Sequence, residues 1–333
     1  MIKNYIPKGG NFVKTFNLFI KKYNIYLLLT CTILLQTVCL TVSFANNKKG
    51  YHSDELWSYG FACSSEGMNV FSERDGQTPK NFDKWVSSSA LHDYITIDKS
   101  ETFDYVSVYQ NSADDYHPFL YFALLHFICS IFPGTFSMWY AYVINIIFFI
   151  IQQIFLFKLI RSLTGNSHWG IIGTFFFGLT TGSENILFFL RMYCPATALS
   201  VVLFYYLTEL YNKRNDSKIS KPLFIKLFIT TLAGCLMLHE FLILAFIAAL
   251  LYGLYYLFTK HIKYAFIFGG TMISSALLSI GIFPSTISHL FGSTGTFGGH
   301  VKKYSFMFQF RIYWSYITNE LFGIATSQWH SMT

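Results

Sequence analysis

The sequence predicts an all-α polytopic membrane protein. Two observations carry this: 53% of its 333 residues are hydrophobic against 12% charged, and the apolar residues gather into long uncharged runs. A soluble domain carries about a quarter charged residues. Runs near ~20 residues are long enough to cross a bilayer as helix. Backbone groups in lipid must be satisfied within the chain, so such runs mean helices. The formal net charge of +7 does not imply a nucleic-acid partner, because the basic residues sit in short loops beside apolar runs, where membrane orientation places them.

Residues 1–23 carry Lys3, Lys8, Lys14, Lys21 and Lys22 and no acid. The first span is expected at 24–45, with the N-terminus in the cytoplasm. Ser43-Phe44-Ala45 has the small residues of a signal-peptidase site, but the apolar run is longer than the ~7–15 residues of a signal h-region, so the span is read as retained. The segment 46–137 is then a long first extracytoplasmic loop. Between 46 and 117 it holds twelve of the 17 acids against six bases.

Pro118–Pro133 is apolar but short for a span. Orientation decides how to read it. Spans at 138–160, 169–189, 195–211, 222–238, 241–258 and 264–283 place Lys158/Arg161, Lys213/Arg214/Lys218/Lys221 and Lys260/Lys263 all in the cytoplasm only if 118–133 does not cross. It is therefore expected to be a juxtamembrane or re-entrant helix. A Gly-rich outer loop follows Pro284, closed by Lys302-Lys303, and the last apolar stretch covers 306–325. The chain reads as one membrane domain, 1–333, whose remaining spans fill 138–325. The abrupt finish predicts a C-terminally truncated product. The six cysteines lack C-x-x-C spacing and read as neither a disulfide framework nor a metal cluster.

This topology gathers the unusual polar residues on the outer side. Asp54, Glu55, Asp114, Asp115 and His117 lie on the first loop. Glu184, Arg191 and Tyr193 flank the next outer turn, His239-Glu240 the one after, and His289, His300 and Lys302 the last loop. Charges at membrane depth are costly and default to a functional reading. The bland alternatives are specific. Glu184 and Arg191, seven apart, also read as a structural pair, His239-Glu240 as a polar turn, and Asp114-Asp115 as a solvated one. Asp54-Glu55, directly after the first span and beside Trp57 and Tyr59, is the strongest lead.

Several features together resemble one family: the basic N-terminus, one span, then Asp54-Glu55; His117-Pro118-Phe119-Leu120-Tyr121 after a long loop; and Arg191-Met192-Tyr193 after an outer turn. The pattern is similar to bacterial glycosyltransferases of the GT-C fold that use lipid-phosphate sugars, relatives of the protein O-mannosyltransferases and the aminoarabinose transferase of lipid A. That family shows His-Pro-Pro-Leu-Tyr and Glu-Ala-Arg-Met-Tyr, so Phe119 replaces the second Pro and only Arg191-Met192-Tyr193 of the second motif is present.

The resemblance implies a GT-C-like helical bundle with juxtamembrane helices, in the inner membrane, its site extracytoplasmic. The donor would be a polyprenyl-phosphate-linked sugar in the bilayer, and the acceptor would enter from outside. Asp54, with Glu55, would supply general-base catalysis. Arg191 would stabilise the departing phosphate, with His117 and Lys302 as further phosphate ligands. Asp115, Tyr193, His239 and Glu240 would bind substrate. Some relatives hold a divalent metal, magnesium or manganese, for which Asp54, Glu55 and Asp115 offer hard oxygen ligands. The competing class, a polysaccharide polymerase or a flippase or transporter of lipid-linked sugars, fits less well. A polymerase would carry its large loop late in the chain, and a transporter would show paired repeats.

Overall fold

A computed structural model describes residues 9–67, 85, 87–215, 220–292 and 305–322. All regular structure among them is helical. Four helices are long and apolar enough to cross a membrane: the Asn24–Asn47 part of α1 (Gly9–Asn47), α6 (Met138–Thr164), α11 (Glu240–Phe258) and α12 (Ile262–Ile282). Between them stand α7 (Ser167–Gly178), α8 (Thr181–Phe188), α9 (Tyr193–Asn212) and α10 (Lys221–Met237). The described residues are thus all-helical, with four helices fit to span a bilayer, as in an all-α membrane protein.

One end of the bundle is tied by polar contacts. Arg161 Nη1 donates to the Tyr26 hydroxyl at 3.0 Å, Ser162 Oγ to Glu209 Oε1 at 2.9 Å, and the Tyr264 hydroxyl to the Lys213 carbonyl at 3.1 Å. The ends of α1, α6, α8, α10 and α12 remote from these contacts carry the polar residues of interest.

The sequence reading places one continuous span at 169–189. The structure divides it into α7 and α8, broken at Leu179–Thr180. The buried Gln36 of α1 explains the break. Its Nε2 donates to the carbonyls of Thr174 and Phe175, at 3.1 and 2.9 Å, satisfying groups that a helix end leaves bare. A side chain at Gly178 would run into the same amide. Thr180 restarts the helix, its Oγ1 accepting from the Ser183 N–H at 3.2 Å as an N-cap.

The acidic segment is not plain loop. It folds into α2 (Ser53–Cys63), α3 (Ser88–Ile95), α4 (Tyr105–Asp114) and α5 (Leu120–Ile131). At 12 residues, α5 spans about 18 Å, too short for a ~30 Å hydrocarbon core. It packs on α2 instead: the rings of Phe61 and Phe122 meet at 5.4 Å and His126 Nδ1 lies 2.6 Å from the Ala62 carbonyl. Asn111 Nδ2 of α4 donates to the carbonyls of Phe61 and Ser64. Tyr59, fully buried, anchors α2 to the start of α6 by donating to the Ser137 carbonyl at 2.7 Å. A Cβ at Gly60 would overlap the Tyr94 ring, so glycine there lets α3 lie against α2. The short α13 (Ser285–Phe291) follows α12, and α14 (Phe306–Phe322) packs near α8.

Candidate active site

The site is assembled around the N-terminus of α2. His52 caps that helix in a capping box: its Nδ1 accepts from the Asp54 N–H at 3.1 Å, and Glu55 Oε2 accepts from the His52 N–H at 2.8 Å. That geometry settles the His52 tautomer, because Nδ1 must offer a lone pair and the ring proton sits on Nε2. The Asp54 Oδ1 lying 3.6 Å from the same Nδ1 therefore faces no donor there.

The two adjacent carboxylates turn to different environments, since successive helix residues diverge by about 100°. Glu55 is completely buried. Lys48 Nζ donates to both its oxygens at 2.6 and 2.8 Å, and the Leu190 N–H donates to Oε1 at 2.9 Å. With the His52 N–H, four hydrogen bonds engage it and hold its two oxygens in place. Asp54 is partly exposed and pairs through Oδ2 with Arg191 Nη1 at 2.5 Å.

Arg191 stands on the turn between α8 and α9, gripped from two sides. Asn145 of α6, buried among apolar neighbours, donates through Nδ2 to the carbonyls of Leu187 and Phe189, both at 3.0 Å. Glu55 takes the Leu190 N–H. Arg191 is buried, 5% exposed. Its Nη2 lies 3.4 Å from His117 Nε2, and His117 Nδ1 lies 2.8 Å from Asp115 Oδ2. The carboxylate requires the His117 proton on Nδ1, which leaves Nε2 to accept from Arg191. Asp115, His117, Arg191 and Asp54 thus form one continuous row. The guanidinium Nε–H is buried and has no partner among the described residues.

Tyr193 stacks on Phe189 with centroids 5.6 Å apart and an interplanar angle of 7°. Arg191 lies over its ring at 5.9 Å. Glu240, in the first turn of α11, is exposed. Glu184 does not pair with Arg191; it accepts from Ser43 Oγ at 2.7 Å. Lys302 lies outside the described residues.

His239 and His289 form a second polar pair beside the row. His289 Nε2 meets the Ala113 carbonyl at 3.0 Å, so it carries the proton and Nδ1 accepts. His239 Nε2, 3.1 Å away, is then the donor. Burial, with His289 and His117 nearby, pushes the His239 imidazole down to about 3, and burial likewise lowers His289. Asp115 acts the other way on both. Both rings are neutral in the folded protein near neutrality. Below about pH 6.5 the unfolded chain binds protons that the folded one refuses, so this pair makes stability fall as pH drops below 6.5, for His239 down towards 3, by at most about 1.4 kcal/mol per unit per histidine. Melting curves from pH 7 to 4 are expected to show a shallower loss for His239→Gln than for wild type.

The residues do not fit the metal set that the resemblance implies. Among the described residues no group of three or more His, Cys, Asp or Glu could hold a metal ion. Lys48 occupies Glu55, and Arg191 and His117 stand between Asp54 and Asp115.

Sequence reasoning passed over Lys48, His52 and Asn145, and named His289 without giving it a role. Two of these left signals: His52-x-x-Glu55 has capping-box spacing, and Asn145 is one of three amides, with Gln152 and Gln153, in an apolar span. No family model, curated protein or solved structure matches the chain.

Proposed function

We propose that this protein is a GT-C-type glycosyltransferase that moves a sugar from a polyprenyl-phosphate donor to an acceptor on the outer face of the membrane. The observation that carries the reading is the row Asp115–His117–Arg191–Asp54. A partly exposed carboxylate, paired through Oδ2, stands beside a buried guanidinium whose Nε–H has no partner among the described residues. A buried cationic donor of that kind calls for an anion.

In this reading the acceptor hydroxyl gives its proton to Asp54 Oδ1 as its oxygen attacks the anomeric carbon. The bond from that carbon to the phosphate oxygen breaks, and the electron pair leaves with the lipid phosphate. Arg191 stabilises the charge gathered there, while His117 and Asp115 hold the guanidinium in place. Glu55, with Lys48, fixes both α2 and the Arg191 turn. An apolar groove of about 410 Å³ between α11 and α12, closed by Leu290 and Phe291 of α13, suits the donor's chain. It borders the His239–His289 pair beside the row, because Leu290 follows His289 and Leu242 lies one turn after His239. The three basic loops, read by the positive-inside rule, support an outward orientation of this end of the bundle.

The test uses purified protein in nanodiscs with sugar-charged polyprenyl phosphates, reading release of polyprenyl phosphate. Arg191→Ala is expected to slow release by about 10²–10³-fold, in the range seen for lost oxyanion donors. Arg191→Lys should recover only part of this, since an ammonium cannot reproduce the two-pronged contact. Wild-type turnover undiminished in Arg191→Ala, or no turnover with any donor, overturns the proposal.

A further inference from the structure

A second cleft opens on another flank of α2. Ser53, Leu56 and Trp57 share one helix face by their three- and four-residue spacing, and Leu91 and Tyr94 of α3 form the wall opposite. The space between is about 240 Å³. The rings of Trp57 and Tyr94 meet edge to face, centroids 5.8 Å apart at 85°. Phe61 backs the indole at 6.3 Å and 24°, so Trp57 is braced within α2 and presents its remaining surface to the cleft. Leu91 is 42% exposed and leaves the far wall open.

The lip of this cleft is polar. Ser53 supplies a hydroxyl, and the next residue is Asp54. Oδ2 of Asp54 is held by Arg191, and His52 Nδ1, a lone pair, faces Oδ1. Among the described residues no donor meets Oδ1, which is open to accept one. The matching ligand has a flat C–H face for the aromatic wall and hydroxyls along one edge, the chemistry of a sugar ring. A lipid chain would fit the walls but leave the lip unmet. An extended peptide would bring backbone donors and acceptors along its whole length, for which these five side chains offer only the Ser53 and Tyr94 hydroxyls and the Trp57 N–H. Few polar groups at the edge of an apolar cleft is the usual composition of small-ligand sites.

We propose that this cleft binds a pyranose ring of a carbohydrate acceptor, packed on Trp57, with a ring hydroxyl delivered to Asp54 Oδ1. The role of Asp54 rests on the transferase reading above; the cleft's preference for sugar does not. The acceptor would then be a glycan, as distinct from a protein side chain or a simple lipid.

The experiment is saturation-transfer NMR on the full chain in nanodiscs, without donor, using methyl pyranosides of glucose, galactose, mannose and N-acetylglucosamine. At least one is expected to receive saturation on its ring C–H protons. Trp57→Ala should weaken that binding at least tenfold, and Trp57→Phe should retain most of it. Leu91→Trp, which fills the cleft from its exposed wall without removing packing, should abolish binding with an unchanged melting temperature. That variant keeps the test decisive if Trp57→Ala unfolds. Saturation of none of the pyranosides, equal binding by wild type and Leu91→Trp, or Trp57-dependent binding of a hexapeptide or lysophospholipid instead, overturns the proposal. Trp57-dependent sugar binding without donor turnover would overturn the transferase reading and leave the cleft standing. Turnover onto a peptide or lipid with no sugar binding would do the reverse.

Discussion

Asp54→Asn is expected to lower polyprenyl-phosphate release by about 10²–10⁴-fold, the range for loss of a general base, while leaving the fold intact. The asparagine is nearly isosteric, and its amide oxygen can still accept from Arg191 Nη1. The amide cannot take up the acceptor's proton. Because Asp54 is partly exposed (41% of its side chain), its ion pair with Arg191 adds little to stability, about 0–1 kcal/mol for a solvent-accessible pair. Rate and stability should therefore separate: the melting temperature moves by a few degrees at most while turnover collapses. Undiminished release by the variant would remove Asp54 as the base and leave Arg191 as an anion site without a catalytic carboxylate.

The membrane class was legible because it depends on quantities a sequence states directly: apolar run length and the placement of lysine and arginine. Most helix positions follow from those runs. The break between α7 and α8 does not, because its cause is Gln36, a residue on another helix that satisfies carbonyls 138 and 139 positions away. Order in the acidic segment was equally hidden. Helices such as α2 and α4 are short, and they hold together through contacts like Asn111 to the end of α2, which no periodicity records.

The site was legible as a set of residues but not as a wiring diagram. Asp54, Arg191, His117 and Asp115 were each chosen for chemical type and for lying at the same predicted membrane face. That His117 and Arg191, 74 residues apart, meet in one row is a property of the fold. The division between a partly exposed Asp54 and a fully buried Glu55 was illegible for a sharper reason. Two neighbours of equal charge differ only in what lies around them, and Glu55 is claimed by Lys48 and by the Leu190 N–H, 135 residues distant.

That division leads to the second large effect. Glu55→Ala is expected to destabilise the protein by about 3–5 kcal/mol, the cost of stranding one member of a buried ion pair. The Glu55 side chain is 0% and that of Lys48 16% exposed, so water cannot replace what is lost. The N–H groups of His52 and Leu190 lose their acceptor at the same time. Glu55→Gln keeps one oxygen for those donors and should cost less. Lys48→Met combined with Glu55→Gln should cost less than the two single changes added together, since the pair acts as a unit. Denaturant unfolding in mixed micelles measures these differences. Activity then separates positioning from catalysis. If Glu55 positions, the turnover of folded Glu55→Gln stays within about tenfold of wild type, because no proton in the proposed reaction passes through it. A Glu55→Gln protein as stable as wild type yet as slow as Asp54→Asn would make Glu55 the catalytic carboxylate and reduce Asp54 to the anchor of Arg191.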